Sequence, residues 1–327
     1  MTLRYIDLFS GIGGFHVAAD MVSAERRLNM ECVLAADIDK TCQRAYDENF
    51  GLKPYGDITQ LDENDIPDHD LLFAGFPCQP FSIIGEMKGF EDTRGTLFFD
   101  VARILEAKRP AAFILENVKM LVGHRNGQTL SRILETLNEL GYRTSYRVLN
   151  ALDFGLPQKR ERVMIVGFRH ETSFLWPQGG VPMKPLREIL ESDVAEKYYA
   201  SERIRESRRT RHQAEEDPTI WHENKSGNVS KYPYSCALRA GASYNYLLVD
   251  GERRLTEREM LRLQGFPDSY RIICNYSETR HQVGNSVPVP MVAAVMTRVV
   301  DALVQAGVRY QKGPSQYEFV FAPRSHG

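Results

Sequence analysis

A doubly wound, mostly parallel α/β sheet joined to a second, smaller and irregular domain is the fold this sequence predicts. Three observations carry that expectation. Strand-like and helix-like segments alternate through the first 170 residues, the alternation stops abruptly after them, and 327 residues exceed what one compact core usually holds.

Leu3–Phe9 reads as a buried strand that stops at a glycine-rich turn, Ser10-Gly11-Ile12-Gly13-Gly14, with a helix from Phe15 to about Leu28 behind it. Cys32–Ala36 is a second short strand and Lys40–Asn49 a second helix. Asp70–Ala74 and Ala111–Leu115 are apolar strands ending at polar residues, with helical spacing over Leu97–Ala107 between them. Thr129–Leu140 is helical and closed by Gly141, and Val163–Gly167 is the last strong strand. In a sheet wound this way, ligands bind beyond the carboxyl ends of the strands. Trp176-Pro177, Gly179-Gly180, Pro182, Pro185, Gly227 and Pro233 then break the rhythm. Tyr244–Val249 is a strand leading to a tight turn at Asp250-Gly251. Thr256 and Glu259 form a capping box for a short helix over Glu257–Gln264, which Gly265 and Pro267 end. Val287–Val304 is a terminal helix whose first turn tolerates Pro288 and Pro290.

The balance of 43% hydrophobic and 26% charged residues excludes a disordered or collagen-like chain. The apolar run Val292–Met296 is far below the ~20 residues that span a bilayer. Met1–Asp7 lacks the basic and apolar regions of a secretory signal. Five cysteines without a C-x-x-C pair argue against a disulfide framework or a cysteine-based metal site, so no metal and a reducing cytoplasm are expected. The net charge of -2 hides an asymmetry: residues 1–70 hold six Lys and Arg against fourteen Asp and Glu, whereas 197–211 hold six basic residues against two acidic ones. A polyanion fits the later part of the chain better than its start, unless the basic run is a solvated helix face.

Chemistry concentrates at the strand ends. In the first turn a G-x-G-x-x-G frame fails, because His16 stands at its third position; a tight structural turn or a site for a nucleoside without a diphosphate remains. Asp37, after the second strand, suits a pair of ribose hydroxyls, and Asp57-Ile58 suits an adenine amine and ring face; each is otherwise a helix cap or loop acid. Cys78 lies between Pro77 and Pro80 after an apolar strand, so it is either a small buried hydrophobe or a displayed nucleophile. Glu116 follows another strand, where a partly desolvated carboxyl can hold and donate a proton, unless it is simply a loop charge. Alternation puts Gln158, Arg160 and Arg162 on one face, suited to a planar polar group or a phosphate. Asn285 reads as an N-cap of the terminal helix.

In this order, DLFSGIGGF, GDI, GFPCQPFS, RGTLFFD, ENV, QKRERV, REMLRLQGFPD and QVGNSVPVP resemble the signatures of the bacterial DNA (cytosine-5)-methyltransferases of restriction–modification systems, from Leu3 to about Val304. The resemblance implies the S-adenosylmethionine-dependent methyltransferase fold. It implies a large catalytic domain at 1–170 completed by 284–327, a target-recognition domain at 171–255 and a hinge at 256–283. It implies S-adenosylmethionine held by Phe9, Gly11, Ile12, Gly13, Asp37, Ile38, Asp57, Ile58, Pro77, Leu97 and Asn285. Cys78 matches the nucleophile, Glu116 the acid, and Arg160 and Arg162 its helpers, with Gln79, Ser82, Gln158 and Arg239 as substrate contacts. The implied reaction methylates C5 of a cytosine rotated out of double-stranded DNA through a covalent Cys78–C6 bond, protecting host DNA from a cognate restriction endonuclease. A monomer with no membrane partner is expected. The chain departs from the pattern at Asp37, where Glu is commoner, at Ile38, where an aromatic often stands, and at Ala237, which replaces Thr. A Cys-Phe-Thr segment of the tRNA-methylating relatives is absent, which favours DNA.

Overall fold

The computed structural model describes residues 2–77, 97–213, 215–307, 309–310 and 319–320. The first half comprises β1 (Thr2–Leu8), α1 (Gly14–Arg26), β2 (Asn29–Ala36), α2 (Lys40–Phe50), β3 (Leu71–Ala74), α3 (Leu97–Lys108), β4 (Ala112–Val118), α4 (Gln128–Glu139), β5 (Arg143–Asn150), β6 (Gln158–Lys159) and β7 (Glu161–Phe168). The second half comprises α5 (Glu202–Arg209), β8 (Ile220–Glu223), β9 (Val229–Tyr232), β10 (Ser235–Cys236), β11 (Leu247–Val249), α6 (Glu257–Gln264), α7 (Tyr276–Asn285) and α8 (Val289–Gln305).

Six strands form one sheet in the order β2-β1-β3-β4-β7-β5. β1 to β4 pair in parallel, whereas β7 lies antiparallel between β4 and β5. The sheet is mostly parallel, as expected, with β7 its one reversed strand. Sequence patterning also misses β5, because this edge strand exposes most of its side chains and offers no apolar run. β3 is buried along its whole length, as a central strand covered on both faces must be. Leu3, Tyr5, Phe73, Ile114 and Val166 pack with α1 and α8 on one face; Ile6, Leu8, Leu72, Phe113 and Ile165 pack with α3 and α4 on the other.

A smaller sheet runs β11-β8-β9, and β10 pairs in parallel with β6. The turn at Asp250-Gly251 has positive φ at both residues, the geometry of a tight reversal. The capping box of Thr256 and Glu259 is present as the sequence predicts, and Asn275 with Glu278 makes a second one. Residues 256–283, expected as a hinge, thus carry two capped helices. Their inner residues Met260, Leu261, Leu263 and Val283 are buried. The stretch Tyr276–Gln305 is apolar and long enough to cross a membrane by composition, yet 72% of its most apolar 18-residue window is buried within the protein.

Two histidines are neutral inside this fold. The His16 ring meets the Tyr46 hydroxyl at 2.8 Å, and His69 Nδ1 donates to the Pro67 carbonyl at 2.8 Å. Burial lowers both pKa values to about 4. The unfolded chain binds these protons first, so the stability they confer is complete above pH ~6.5 and is lost as pH falls towards 4, by up to ~3 kcal/mol each. The buried Asp7 carboxyl, raised by burial, acts in the opposite sense. The expected result is that His69→Gln shows a shallower acid-side decline in urea unfolding free energy than the parent; identical slopes would exclude His69 as a source of that decline.

Candidate active site

β1, β3 and β4 end at one edge of the sheet, and β7 begins there because it runs the other way. Glu116 on β4 pairs with Met164 on β7, and Arg162 pairs with Val118 two places further along the ladder. Arg162 Nε donates to Glu116 Oε1 at 2.7 Å. Glu116 is only 8% exposed. Burial pushes its carboxyl above the usual range, and the guanidinium groups of Arg162 and Arg160 pull it part of the way back.

β4 also fixes the segment leading to Cys78. Asn117 Nδ2 donates to the Phe76 carbonyl at 2.9 Å, while its Oδ1 accepts the Val118 N–H at 2.8 Å. Glu116 Oε2 lies 3.5 Å from where a Cβ on Gly75 would stand. Cys78, Gln79 and Ser82 themselves lie outside the described residues. Sequence reasoning passed over Asn117; its signal was an amide beside the acid at a strand end.

The chain leaves β1 through left-handed residues at Phe9 (φ 55°), Gly11 (φ 53°) and Gly13 (φ 81°). Such a conformation at a non-glycine residue costs of order 1–3 kcal/mol and gathers at ligand sites. A Cβ on Gly13 would stand 2.2 Å from the Phe50 ring, so α1 and α2 approach closely only because glycine is there. The Gly11 and Asp39 N–H groups donate to the two oxygens of Asp37, both at 2.8 Å. These bonds aim the Asp37 carboxylate and leave lone pairs on both oxygens. Ser10 Oγ is buried with no partner among the described residues.

Several expected contacts change character. Asp57 caps a single 3₁₀ turn, its Oδ1 accepting the Thr59 N–H at 2.9 Å. Ile58 and Ile12 are 3% and 2% exposed and belong to the core, so neither side chain offers a face to a ring; only their backbone can meet a ligand. Ile38 is 73% exposed, Phe9 and Leu97 are half-buried, and Pro77 is exposed. Asn285 is not an N-cap: it is the exposed last residue of α7, and α8 starts after Pro288, whose missing N–H suits a helix entry.

Gln158 and Arg160 are not presented to a substrate either. Gln158 is fully buried, accepting the Leu238 N–H at 3.0 Å and donating to the Leu263 carbonyl at 2.9 Å. Gln264 extends this node to the Val283 carbonyl at 2.8 Å. Arg160, 1% exposed, donates to the carbonyls of Leu238, Gly284 and Ser286 at 2.8, 3.0 and 2.6 Å. Burial lowers its pKa to about 9, which leaves it charged at neutral pH. A Cβ on Gly284 would stand 2.3 Å from Ala240 N, so α7 touches the backbone of this segment directly.

Three of the six basic residues at 197–211 are ion-paired. Arg205 pairs with Glu202 and Glu252, Arg208 with Glu223, and Arg209 with Glu252 and Glu202. Within α5 these pairs match the helix-face reading of that run.

The profile of the family described as C-5 cytosine-specific DNA methylase matches residues 3–301. The chain is 52% identical over 313 residues to the Type II methyltransferase M.NgoBI of Neisseria gonorrhoeae, covering 95% of this chain and 96% of that protein. It is 51% identical over 306 residues to the Type II methyltransferase M.HaeII of Haemophilus aegyptius, covering 93% and 94%. The crystal structure of S. pombe Dnmt2 methyltransferase matches with a TM-score of 0.71 at 22% identity, over 92% of this chain and 99% of that one, a likeness of fold.

In Arg162→Gln the Glu116 carboxyl should titrate at higher pH than in the parent, read from its side-chain carbon resonance; an unmoved titration would show that the pair does not set its protonation. Asn117→Ala leaves the Phe76 carbonyl unpaired, at about 1–3 kcal/mol. It should slow turnover about tenfold or more while DNA affinity stays within a few-fold; equal loss of both would remove Asn117 from the positioning of the Cys78 segment.

Proposed function

The chain belongs to the C-5 cytosine-specific DNA methylase family, and from that membership we propose how its residues carry the reaction. The enzyme methylates cytosine C5 in DNA as a Type II methyltransferase of a restriction–modification system. The buried Glu116–Arg162 pair beside the segment leading to Cys78 is the observation that carries the assignment of roles.

S-adenosylmethionine fits the edge of β1 and β2. Asp37, aimed by two backbone donors, can take ribose hydroxyls, and the unpartnered Ser10 Oγ offers a further polar contact. Phe9, Gly11, Gly13, Ile38, Asp57, Pro77, Leu97 and Asn285 would complete the site, with Ile12 and Ile58 contributing backbone. When bound, the cofactor supplies the electrophilic methyl group that cytosine C5 takes up.

Cytosine C5 is a weak nucleophile. Addition of the Cys78 thiolate to C6 breaks the ring's aromaticity and raises electron density at C5. Glu116, its proton favoured by burial, donates to N3 and offsets the charge that develops in the ring. Arg162 orients that carboxyl and lies where the base oxygen can be held, whereas Arg160 braces the segment around Leu238. Loss of the C5 proton then frees Cys78 and leaves 5-methylcytosine. The base must first leave the duplex, at a few kcal/mol. Residues 171–255 supply target recognition, with Arg239 on the substrate side and Gln79 and Ser82 beside the base. The protein acts in the cytoplasm as a monomer on double-stranded DNA, alongside a cognate endonuclease that it need not touch.

Cys78→Ser should bind DNA and cofactor yet give no methylation by bisulfite sequencing and no adduct with 5-fluorocytosine duplex; near-parental turnover by that variant overturns the nucleophile. Glu116→Gln should lose about 10²–10⁴ in rate with little loss of DNA affinity. A parallel fall in affinity assigns Glu116 to binding instead.

A further inference from the structure

Positive charge with no ion-pair partner among the described residues gathers at Arg239, Arg254 and Arg280. Arg239, Arg254 and Arg280 come from three separate segments and meet over a group of tyrosines. The Arg239 guanidinium lies 4.9 Å from the Tyr246 ring centre, and Arg280 lies 4.7 Å from that of Tyr244. Arg254 lies 5.9 Å from Tyr244 and 5.4 Å from Tyr276. The rings of Tyr244 and Tyr276 stack with centres 5.9 Å apart, and Tyr244 is 46% exposed. Lys197 Nζ adds a further cation 4.8 Å over Tyr198.

These arginines are held by carbonyls and rings. Arg254 Nε donates to the Tyr198 carbonyl at 3.4 Å, and Arg280 Nη2 to the Ser243 carbonyl at 3.2 Å. A carbonyl fixes a guanidinium plane without cancelling its charge. Of the acids nearby, Glu257 accepts the Tyr198 hydroxyl, and Glu278 caps Asn275 and reaches Arg44 at 3.9 Å. Burial, and then the nearby Arg239, lower the pKa of His222.

The backbone under Arg239 is fixed at three successive residues. The Tyr246 hydroxyl donates to the Ala237 carbonyl at 3.4 Å and accepts the Arg239 N–H at 2.9 Å, and Gln158 and Arg160 hold both polar groups of Leu238. Arg160 is two residues from Arg162, which holds Glu116. Whatever docks on the arginine face is thereby held in register with the catalytic edge. Fixed, planar, aromatic-backed guanidiniums suit a row of anionic oxygens.

We propose that Arg239, Arg254 and Arg280, backed by Tyr244, Tyr246 and Tyr276, clamp the sugar–phosphate backbone of the substrate duplex and read its phosphates, not its base edges. This rests on the DNA-methylating reading above. Phosphate contacts fix register and affinity on any sequence, and each one lost reduces the salt slope of binding by about 0.9.

The test is duplex binding across a salt series, on DNA carrying the site mapped by bisulfite sequencing and on a scrambled duplex. The double variant Arg254→Ala with Arg280→Ala should flatten the plot of log affinity against log salt by about 2, and Arg239→Ala by about 1, equally on both duplexes. The double variant Arg254→Lys with Arg280→Lys should keep the parental slope. Unchanged slopes in the alanine variants overturn the clamp, as does a loss confined to the duplex carrying the site. A slope that the lysine variant also loses overturns it too, since charge would not be the cause. A parent that methylates DNA while its alanine variants keep the slope sinks the clamp alone; a parent that never methylates DNA sinks the underlying reading.

Discussion

The reversal of β7 beside β4 is the constraint on which the site depends. Had β7 run parallel like β1 to β4, its arginine end would lie towards the opposite edge of the sheet, near Phe113 and about 10 Å along the ladder from Glu116 at ~3.3 Å per residue. The antiparallel ladder instead sets Arg162 opposite Val118, within 2.7 Å of the Glu116 carboxyl. A buried carboxylate with no partner is expensive by several kcal/mol and takes up a proton. With the guanidinium in contact, the two effects oppose each other, and the carboxyl is raised less than burial alone would raise it. A group in that position can both hold a proton and share it, which is what donation to a ring nitrogen requires.

The segment that leads into β7 performs a second task. Arg160 is buried as a cation, and the three carbonyls it meets come from Leu238, Gly284 and Ser286. Gln158 and Gln264 complete a polar node with no room to adjust, since Gly284 admits the Ala240 backbone only for want of a side chain. Removing one partner from such a node strands the others, at about 3–5 kcal/mol. The Leu238 segment and the Glu116 carboxyl are thus tied to two arginines two residues apart, and a displacement at Leu238 is transmitted to Arg162 through covalent backbone.

Much of the sheet was legible because central strands covered on both faces are continuous apolar runs: Leu71–Ala74 and Ala112–Leu115 could be read directly. The Thr256–Glu259 box was legible because capping is local. Strand direction was not, since Val163–Gly167 has the same apolar pattern whichever way it points. β5 was hidden by its exposure. Alternation put Gln158, Arg160 and Arg162 on one face, but Arg162 turns to Glu116 while the first two meet backbone groups from Leu238 and Gly284, up to 124 residues away, and backbone leaves no mark in a sequence. The motif around Asp57 and Ile58 was visible, yet only the fold reveals that the isoleucine is spent on the core.

Charge shows the same division. Counted along the chain, 197–211 is the conspicuous basic segment. Counted in space, three arginines of its helix are matched by Glu202 within it and by Glu223 and Glu252 from beyond it. Arg239, Arg254 and Arg280 do not form a cluster in sequence, since they are 15 and 26 residues apart. Folding brings them together over tyrosine rings and gives Arg254 and Arg280 carbonyl partners, which orient a guanidinium and leave its charge whole. What attracts a polyanion is the charge that the fold has not already answered, so the electrostatics follow from pairing and not from composition.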